Sequence, residues 1–424
     1  MTSERPREAF AWMWLPGATE PVVAGRLDEA GGALSFVYGR SYLAREDAIP
    51  LYTPELPLRS GTIRPLPGLD APGCILDARP DAWGQRVIMS RLLGGRAADA
   101  DPADLGVLTY LLESDSDRIG ALDFQLSSER YGPRGGAAAT LRELATAAER
   151  VEAGVPLSPE LDVALLRGTA VGGARPKALL DDGPRKLIAK FSSSTDTFPV
   201  VQGEFVAMEL AHRAGLDVAR VELTRSLGKN VLLIERFDRE PGTGTRRAIV
   251  SALTILELNE LAARWASYAE LAQVMRARFT APAATLRELF ARITFNVLVG
   301  NTDDHARNHA AFWDGEMLAL TPAYDICPQL RSGGEAAQAM VIGDDSDSFK
   351  LSQVAGCVRR AHLYQLTEAA AREIVDRQID VIRTQWDEVC DQARLPQVER
   401  RRMWGRQFLH PFALEDYAAA ELRR

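Results

Sequence analysis

The sequence predicts an α+β protein with a strand-rich first part and a helical remainder. Three observations carry this. Up to about residue 240, short apolar runs alternate with polar residues and stop at Gly or other turn residues, as half-buried strands do. After residue 240 that alternation largely disappears, and apolar residues recur at helical spacing instead. At 424 residues the chain is also too long for one simple core, so two or three subdomains are expected. The expected divisions are 1–135, a small antiparallel sheet plus helices; 136–239, a second strand-rich part; and 240–424, helical.

In chain order, Phe10 to Trp14 and Ala33 to Tyr38 read as strands, with turns at Gly31-Gly32 and Gly39. Pro-rich connections follow between Pro50 and Pro72. Asp81 to Leu93 has a helical pattern with Val87, Met89 and Leu92 or Leu93 inward, and Leu105 to Leu112 reads as a helix despite Gly106. Ile119 to Phe124 reads as a strand, the Gly-rich piece 132–136 as a linker, and 139–153 and 158–167 as helices. Lys186 to Phe191 alternates as a strand, with Leu187, Ala189 and Phe191 on one face and Ile188 and Lys190 on the other. Glu204 begins a helical stretch that stops at Gly215. Val218 to Leu223 and Val231 to Phe237 read as strands joined by a turn at Leu227 to Asn230.

Further on, Thr285 with Glu288 reads as a capping box before a helix whose core face is Leu286, Leu289, Phe290, Ile293 and Val297, ended by Gly300. Short strands are expected around Ala311 to Trp313 and Leu318 to Leu320. Thr367 opens a long amphipathic helix to about Cys390. The rest, to Arg424, reads as a helical, charged, solvated face.

Bulk composition excludes several classes. A hydrophobic content of 46% and a charged content of 25% are those of an ordinary globular protein. The net charge of −8 lacks the footprint of a nucleic-acid binder, so any DNA contact needs a local basic patch or a basic partner. No signal-like or membrane-spanning apolar run is present, and Cys74, Cys327, Cys357 and Cys390 have no metal-ligand spacing. A cytoplasmic protein with reduced thiols and no membrane association is expected.

The chemistry concentrates in Val299 to His309. Asp303 and Asn308 stand five positions apart and Asp325 follows, the order that phosphoryl transfer with magnesium needs. Such spacing alone also describes a loop with capped ends. Yet the chain has only five Asn and five His, and Asn301, His305, Asn308 and His309 crowd into this segment, with Asn296 just before it. Lysines are as rare: Lys177, Lys186, Lys190, Lys229 and Lys350 are all there are.

Gly168 to Leu180 is a second dense segment. Its glycines would let backbone N–H groups approach a phosphate, or form a plain turn before a strand. Lys190 inside an apolar strand needs an anionic partner, because burying an unpaired ammonium is costly. Glu204 is a candidate partner, with stabilisation of a helix N-terminus the alternative. Glu235, Arg236 and Phe237 lie where a strand edge leads out of the sheet, a place where an adenine ring finds backbone partners.

Together these segments resemble the HipA family, serine/threonine kinase toxins of bacterial toxin–antitoxin operons. The resemblance rests on Gly172 to Lys177, Ile188 to Phe191, Gly203 to Phe205, Glu235 to Arg239, Asn301 to Asn308 and Tyr324 to Ile326, with Arg118 to Leu122 similar to the family's N-terminal region. It implies a two-lobed, protein-kinase-like fold with a mixed α/β N-lobe, whose nucleotide-binding part is 136–239, and an all-helical C-lobe. It implies ATP and Mg2+ as cofactors, Asp303 as catalytic base, and Asn308 and Asp325 as metal ligands. Gly172, Gly173, Ala174, Arg175, Pro176 and Lys177 become the loop over the nucleotide, Lys190 its phosphate lysine and Glu204 the support of that lysine. Glu235, Arg236 and Phe237 become the adenine contacts, with His305 and Tyr324 on the nucleotide side. The implied partners are a HipB-like helix-turn-helix antitoxin, through which alone DNA is met, and a protein substrate of aminoacyl-tRNA synthetase type.

One position departs from the family pattern. The regulatory serine two residues before Gly172-Gly173 is replaced by Ala170, with Thr169 beside it. Either Thr169 has taken over, or control rests on the partner, or a serine was changed to alanine. Two other functions fit the same residues: a small-molecule kinase, and a catalytically weak pseudokinase that binds the antitoxin as a corepressor.

Overall fold

The computed structural model describes residues 5–94, 100–135, 139–155, 158–167, 169–193, 195–331, 333–344 and 346–417. Gly136 of the expected linker, Gly168 at the head of the glycine-rich segment and residues 418–424 lie outside the described residues. The chain forms two compact units. Residues 1–195, 224–250 and 312–316 make the first, and residues 196–223, 251–311 and 317–424 make the second.

The first unit opens with a five-stranded antiparallel sheet in the order Thr62–Ile63, Ala33–Tyr38, Val22–Ala30, Glu8–Met13, Leu122–Gln125. Alternation decides its inner face: Leu34, Phe36 and Tyr38 are buried and the residues between them are half-buried. Val22–Ala30 was missed by sequence reading because its second half, Arg26 to Ala30, is largely charged. The strand expected over 119–124 starts later, at Leu122. Helix Ala82–Leu93 buries Trp83, Val87, Ile88 and Met89, with Leu93 rather than the exposed Leu92 turned inward. The single helix expected over 105–112 is divided at Gly106 into a 3-10 turn, Pro102–Leu105, and a helix, Val107–Glu113, because glycine is a poor helix former.

A second, four-stranded sheet runs in the order Lys177–Asp182, Arg185–Phe191, Lys229–Glu235, Val221–Ser226. Helices Leu141–Glu152 and Pro159–Leu166 share a core with it, in which Leu144, Ala148 and Leu165 join Ala178, Ala189 and Phe191. Trp83 and Val87 enter the same core. Each large side chain buried there contributes about 1.5–3 kcal/mol relative to exposure.

The second unit is mainly helical. Helix Pro282–Val299 buries Leu286, Leu289, Phe290, Ile293 and Val297 as its periodicity requires. It starts a turn earlier than expected, so Thr285 is a buried interior residue and no capping box forms there. Proline at the first helical position lacks only an N–H that would have no partner anyway, and its fixed φ starts the helix. Glu288 instead holds Arg292 at 2.8 Å and accepts the Asp217 N–H at 3.2 Å. Gly300 ends the helix in the left-handed conformation, and a Cβ there would stand 2.7 Å from the Gln407 carbonyl oxygen.

Helix Val200–Arg213 lies along the long helix Glu368–Gln392, with Arg213 bridging to Glu388 at 3.0 Å. Thr367 caps the long helix as expected, accepting the Ala370 N–H at 3.2 Å. The segment after Gln392 differs from expectation. Among its described residues, only Gln397–Met403 and the 3-10 turn Pro411–Leu414 are helical, and Phe408, Leu409 and Tyr417 are buried. Phe408 packs on Trp386 with ring centroids 4.7 Å apart, and burial of these rings outweighs the segment's charge. Among the described residues, the strands after residue 240 are Ala248–Ser251, Ala310–Trp313 and Leu318–Leu320. No helix among the described residues is long and apolar enough to cross a membrane, and all four cysteines are buried.

Candidate active site

Helix Pro282–Val299 delivers the chain into a loop, Asn301 to His309, that closes with the 3-10 turn Ala306–Asn308. Asp304, which sequence reading passed over, holds this loop from inside. It is 3% exposed, and its Oδ2 accepts from Asn296 Nδ2 at 2.7 Å, meets His309 Nε2 at 2.9 Å and accepts the Tyr268 hydroxyl. Burial alone would raise its carboxyl, but His309 and the Tyr268 hydrogen bond outweigh that and hold it below the usual range. Asn301 extends the chain of contacts, donating to Asn296 Oδ1 at 3.0 Å and to the Asp325 carbonyl at 3.5 Å. Of the crowded Asn and His residues, Asn296, Asn301 and His309 therefore build the support of the loop. The signal for Asp304 was its place in the Asp303-Asp304 doublet beside them.

Asp303 is exposed at the loop's surface. Its carbonyl accepts both the Asn308 Nδ2, at 3.1 Å, and the His305 N–H, at 2.9 Å. The five-residue spacing is thus closed on itself, and Asn308 keeps Oδ1 as its acceptor atom. The Asp303 carboxyl is pushed above the ordinary range by partial burial. His305 opposes this, and the negative charges of Asp325 and Asp304 add to it. Asp325 is half-buried at a left-handed φ of 58°, and the hydroxyl of its neighbour Tyr324 donates to the Arg307 carbonyl at 2.7 Å. Among the described residues, no group of three or more His, Cys, Asp and Glu side chains could hold a metal ion. Asp303 and Asp325, whose charges repel, and the Asn308 amide oxygen are of the donor type that suits a hard cation such as magnesium, which takes its other ligands from water and phosphate.

In the first unit, Lys177 and Lys190 sit directly opposite each other on paired strands, and both are buried. The Lys177 ammonium donates to the Gly172 carbonyl. Thr169 is fully buried, its hydroxyl accepting the Asp115 N–H at 3.1 Å and donating to the Leu166 carbonyl at 2.7 Å, and Ala170 beside it is buried too. Glu204 belongs to the second unit, in the second turn of its helix and 1% exposed. The first turn of that helix has no acidic residue, so Glu204 does not serve as a helix-end charge.

Arg236 turns away from the sheet edge. Its guanidinium binds Asp117 Oδ1 at 3.0 Å, both Asp238 oxygens at 2.9 and 2.8 Å, and the Arg118 carbonyl at 2.7 Å. Burial opposes its charge, yet Asp117 and Asp238 override burial and raise its pKa further. Its N–H donates to the Lys186 carbonyl at 2.9 Å. Arg239 binds the same two carboxylates, at 2.8 Å and 2.7 Å. The polar groups of Arg236 other than its carbonyl are therefore spent internally.

Residues 169–386, just over half of the chain, match the HipA-like C-terminal domain family. The protein Y4mE of Sinorhizobium fredii is 29% identical over 146 residues, which are 33% of this chain and 33% of that protein. The serine/threonine-protein kinase toxin HipA of Shewanella oneidensis is 25% identical over 167 residues, 35% of this chain and 39% of the toxin. The chain thus spans little more than a third of the length of the curated relatives it matches. Its fold is similar to that of a chain in the Shewanella oneidensis HipA, HipB and operator DNA complex. The TM-score is 0.67 at 19% identity, over 95% of this chain and 99% of that one. With its strand-bearing first unit, its helical second unit and a family match that spans both, this chain belongs to the HipA-like C-terminal domain family and has the HipA-like, kinase-like α+β fold.

Proposed function

We propose that this protein is an ATP- and magnesium-dependent serine/threonine protein kinase and the toxin of a toxin–antitoxin pair. The observation that carries the chemistry is the closed loop of Asp303 and Asn308, with Asp325 near enough to raise the Asp303 carboxyl. In this reading the Asp303 carboxylate accepts the proton of a substrate hydroxyl. That oxygen bonds to the γ-phosphorus of ATP as the bond to the ADP oxygen breaks. Asn308 and Asp325 hold magnesium, which neutralises charge on the nucleotide phosphates when bound. Lys177 and Lys190 supply further positive charge, and Gly172 to Lys177 cover the phosphates. The backbone of Glu235 to Phe237 meets the adenine, with His305 and Tyr324 beside the nucleotide.

Family membership supports the toxin role, as does the solved relative's assembly with HipB and operator DNA. A net charge of −8 favours reaching DNA only through a HipB-like helix-turn-helix partner. A translation-related protein of aminoacyl-tRNA synthetase type is the expected substrate, in the cytoplasm.

The experiment is phosphate transfer from labelled ATP to lysate proteins, with growth as a second readout. Asp303→Gln, Asn308→Ala and Asp325→Ala are each expected to lose at least about a hundredfold in rate without loss of folding. Expression without a partner is expected to arrest a bacterial host, and Asp303→Gln to relieve it. Transfer to metabolites alone would make the substrate a small molecule. A parent protein that never turns over ATP would leave the corepressor role.

A further inference from the structure

The glycine-rich loop is docked onto the start of helix Ala82–Leu93. Trp83 donates its N–H to the Gly173 carbonyl at 3.2 Å and its indole Nε1 to the Lys177 carbonyl at 2.9 Å. Gly173 in turn donates its N–H to Asp81 Oδ2 at 2.7 Å. Val171, like Thr169 and Ala170, is buried.

Asp81 is the N-cap residue of that helix, where aspartate ordinarily accepts an N–H two or three residues on. It makes no such bond. Its carboxylate is spent instead on a glycine 92 residues away. The approach is close: a Cβ on Gly172 would stand 2.9 Å from the same Asp81 oxygen, so a side chain there would push the carboxylate aside. The Gly173 N–H is one of the donors that such a loop would offer to a phosphate, and Lys177, of the same segment, faces Lys190 across the adjoining strands.

We propose that Asp81 is an internal stand-in for nucleotide phosphate, occupying the Gly173 N–H in the free protein and limiting affinity for the nucleotide. The inference rests on the nucleotide-site reading above. Two effects act with the same sign. A phosphate can take the Gly173 N–H only by displacing the carboxylate, and a carboxylate left beside the phosphates repels them. Asp81 therefore keeps the loop docked when no nucleotide is present and makes entry of the polyphosphate, not of the base, the costly step.

The test uses the full chain, a non-hydrolysable ATP analogue with magnesium, and adenosine as the phosphate-free probe. Asp81→Asn keeps an oxygen acceptor for Gly173 but removes the charge, and is expected to bind the analogue about tenfold more tightly. Asp81→Ala is expected to gain at least as much, and to speed amide exchange at Gly173 about tenfold or more in the absence of nucleotide. Adenosine should bind parent and variants alike. Unchanged or weaker analogue binding in both variants overturns the proposal, as does unchanged exchange at Gly173 in Asp81→Ala. Lys190→Ala separates this failure from failure of the site. If it loses the analogue while the Asp81 variants gain nothing, only the stand-in falls. If parent and variants all fail to bind the analogue, the nucleotide site falls and the stand-in with it.

Discussion

Asp304 and His309 face each other inside the second unit, carboxylate oxygen to Nε2 at 2.9 Å, and hold the loop that carries Asp303 and Asn308. Asn296 and Tyr268 converge on the same oxygen. Asp304→Ala leaves these buried polar groups without their acceptor and is expected to cost about 3 kcal/mol of stability, with loss of activity. Urea unfolding measures it; an unchanged midpoint would show that the network does not hold the loop.

The Asp303 carboxyl is raised, so its ionised form is less favourable in the fold than in the unfolded chain. For a raised carboxyl, the destabilisation is present above the folded pKa and disappears as pH falls below the unfolded value. Asp303→Asn is therefore expected to raise Tm at neutral pH and to give no gain in acid, even as it abolishes the proposed base. Carboxyl NMR titration gives a second check: Asp325→Asn should move the Asp303 titration to lower pH. No movement would mean that the two carboxylates do not interact.

Asp238 is buried between Arg236 and Arg239, and its oxygen also accepts the Gly120 N–H at 2.8 Å. Burial would raise its carboxyl, but the two guanidiniums lower it. Asp238→Ala strands both arginines and is expected to cost about 3–5 kcal/mol at neutral pH. For this depressed carboxyl the stabilisation is complete above the unfolded value of about 4 and is lost as pH falls through the folded one. Denaturant midpoints at neutral and acid pH measure the margin between parent and Asp238→Asn, which should narrow only in acid.

Thr169 is a poor replacement for the family's loop serine, because its hydroxyl is already bonded on both sides, accepting the Asp115 N–H and donating to the Leu166 carbonyl. After incubation with ATP and magnesium, the peptide over 168–177 is expected to stay unphosphorylated in the parent and to gain phosphate in Ala170→Ser. Peptide mass spectrometry distinguishes the two. Stoichiometric phosphate on Thr169 would mean that the regulatory position has moved by one residue.

The sequence by itself determined the local elements. Alternation marked Ala33–Tyr38 and Arg185–Phe191, the three- and four-residue spacing marked the core face of Pro282–Val299, and Thr367 and Gly300 marked helix ends. These are short-range properties, set by which face of a strand or helix is apolar and by which residue can cap it. The same locality made Asp303, Asn308 and Asp325 visible as candidates. Only the tertiary structure decided what each buried polar group meets. Asp304 finds His309 and Tyr268, Arg236 finds Asp117, and Asp81 gives up its own helix for Gly173. It also placed Thr285 inside its helix and buried Phe408 against Trp386. A buried charge must be satisfied by whatever the fold brings near, from any distance along the chain, and periodicity carries no record of that partner.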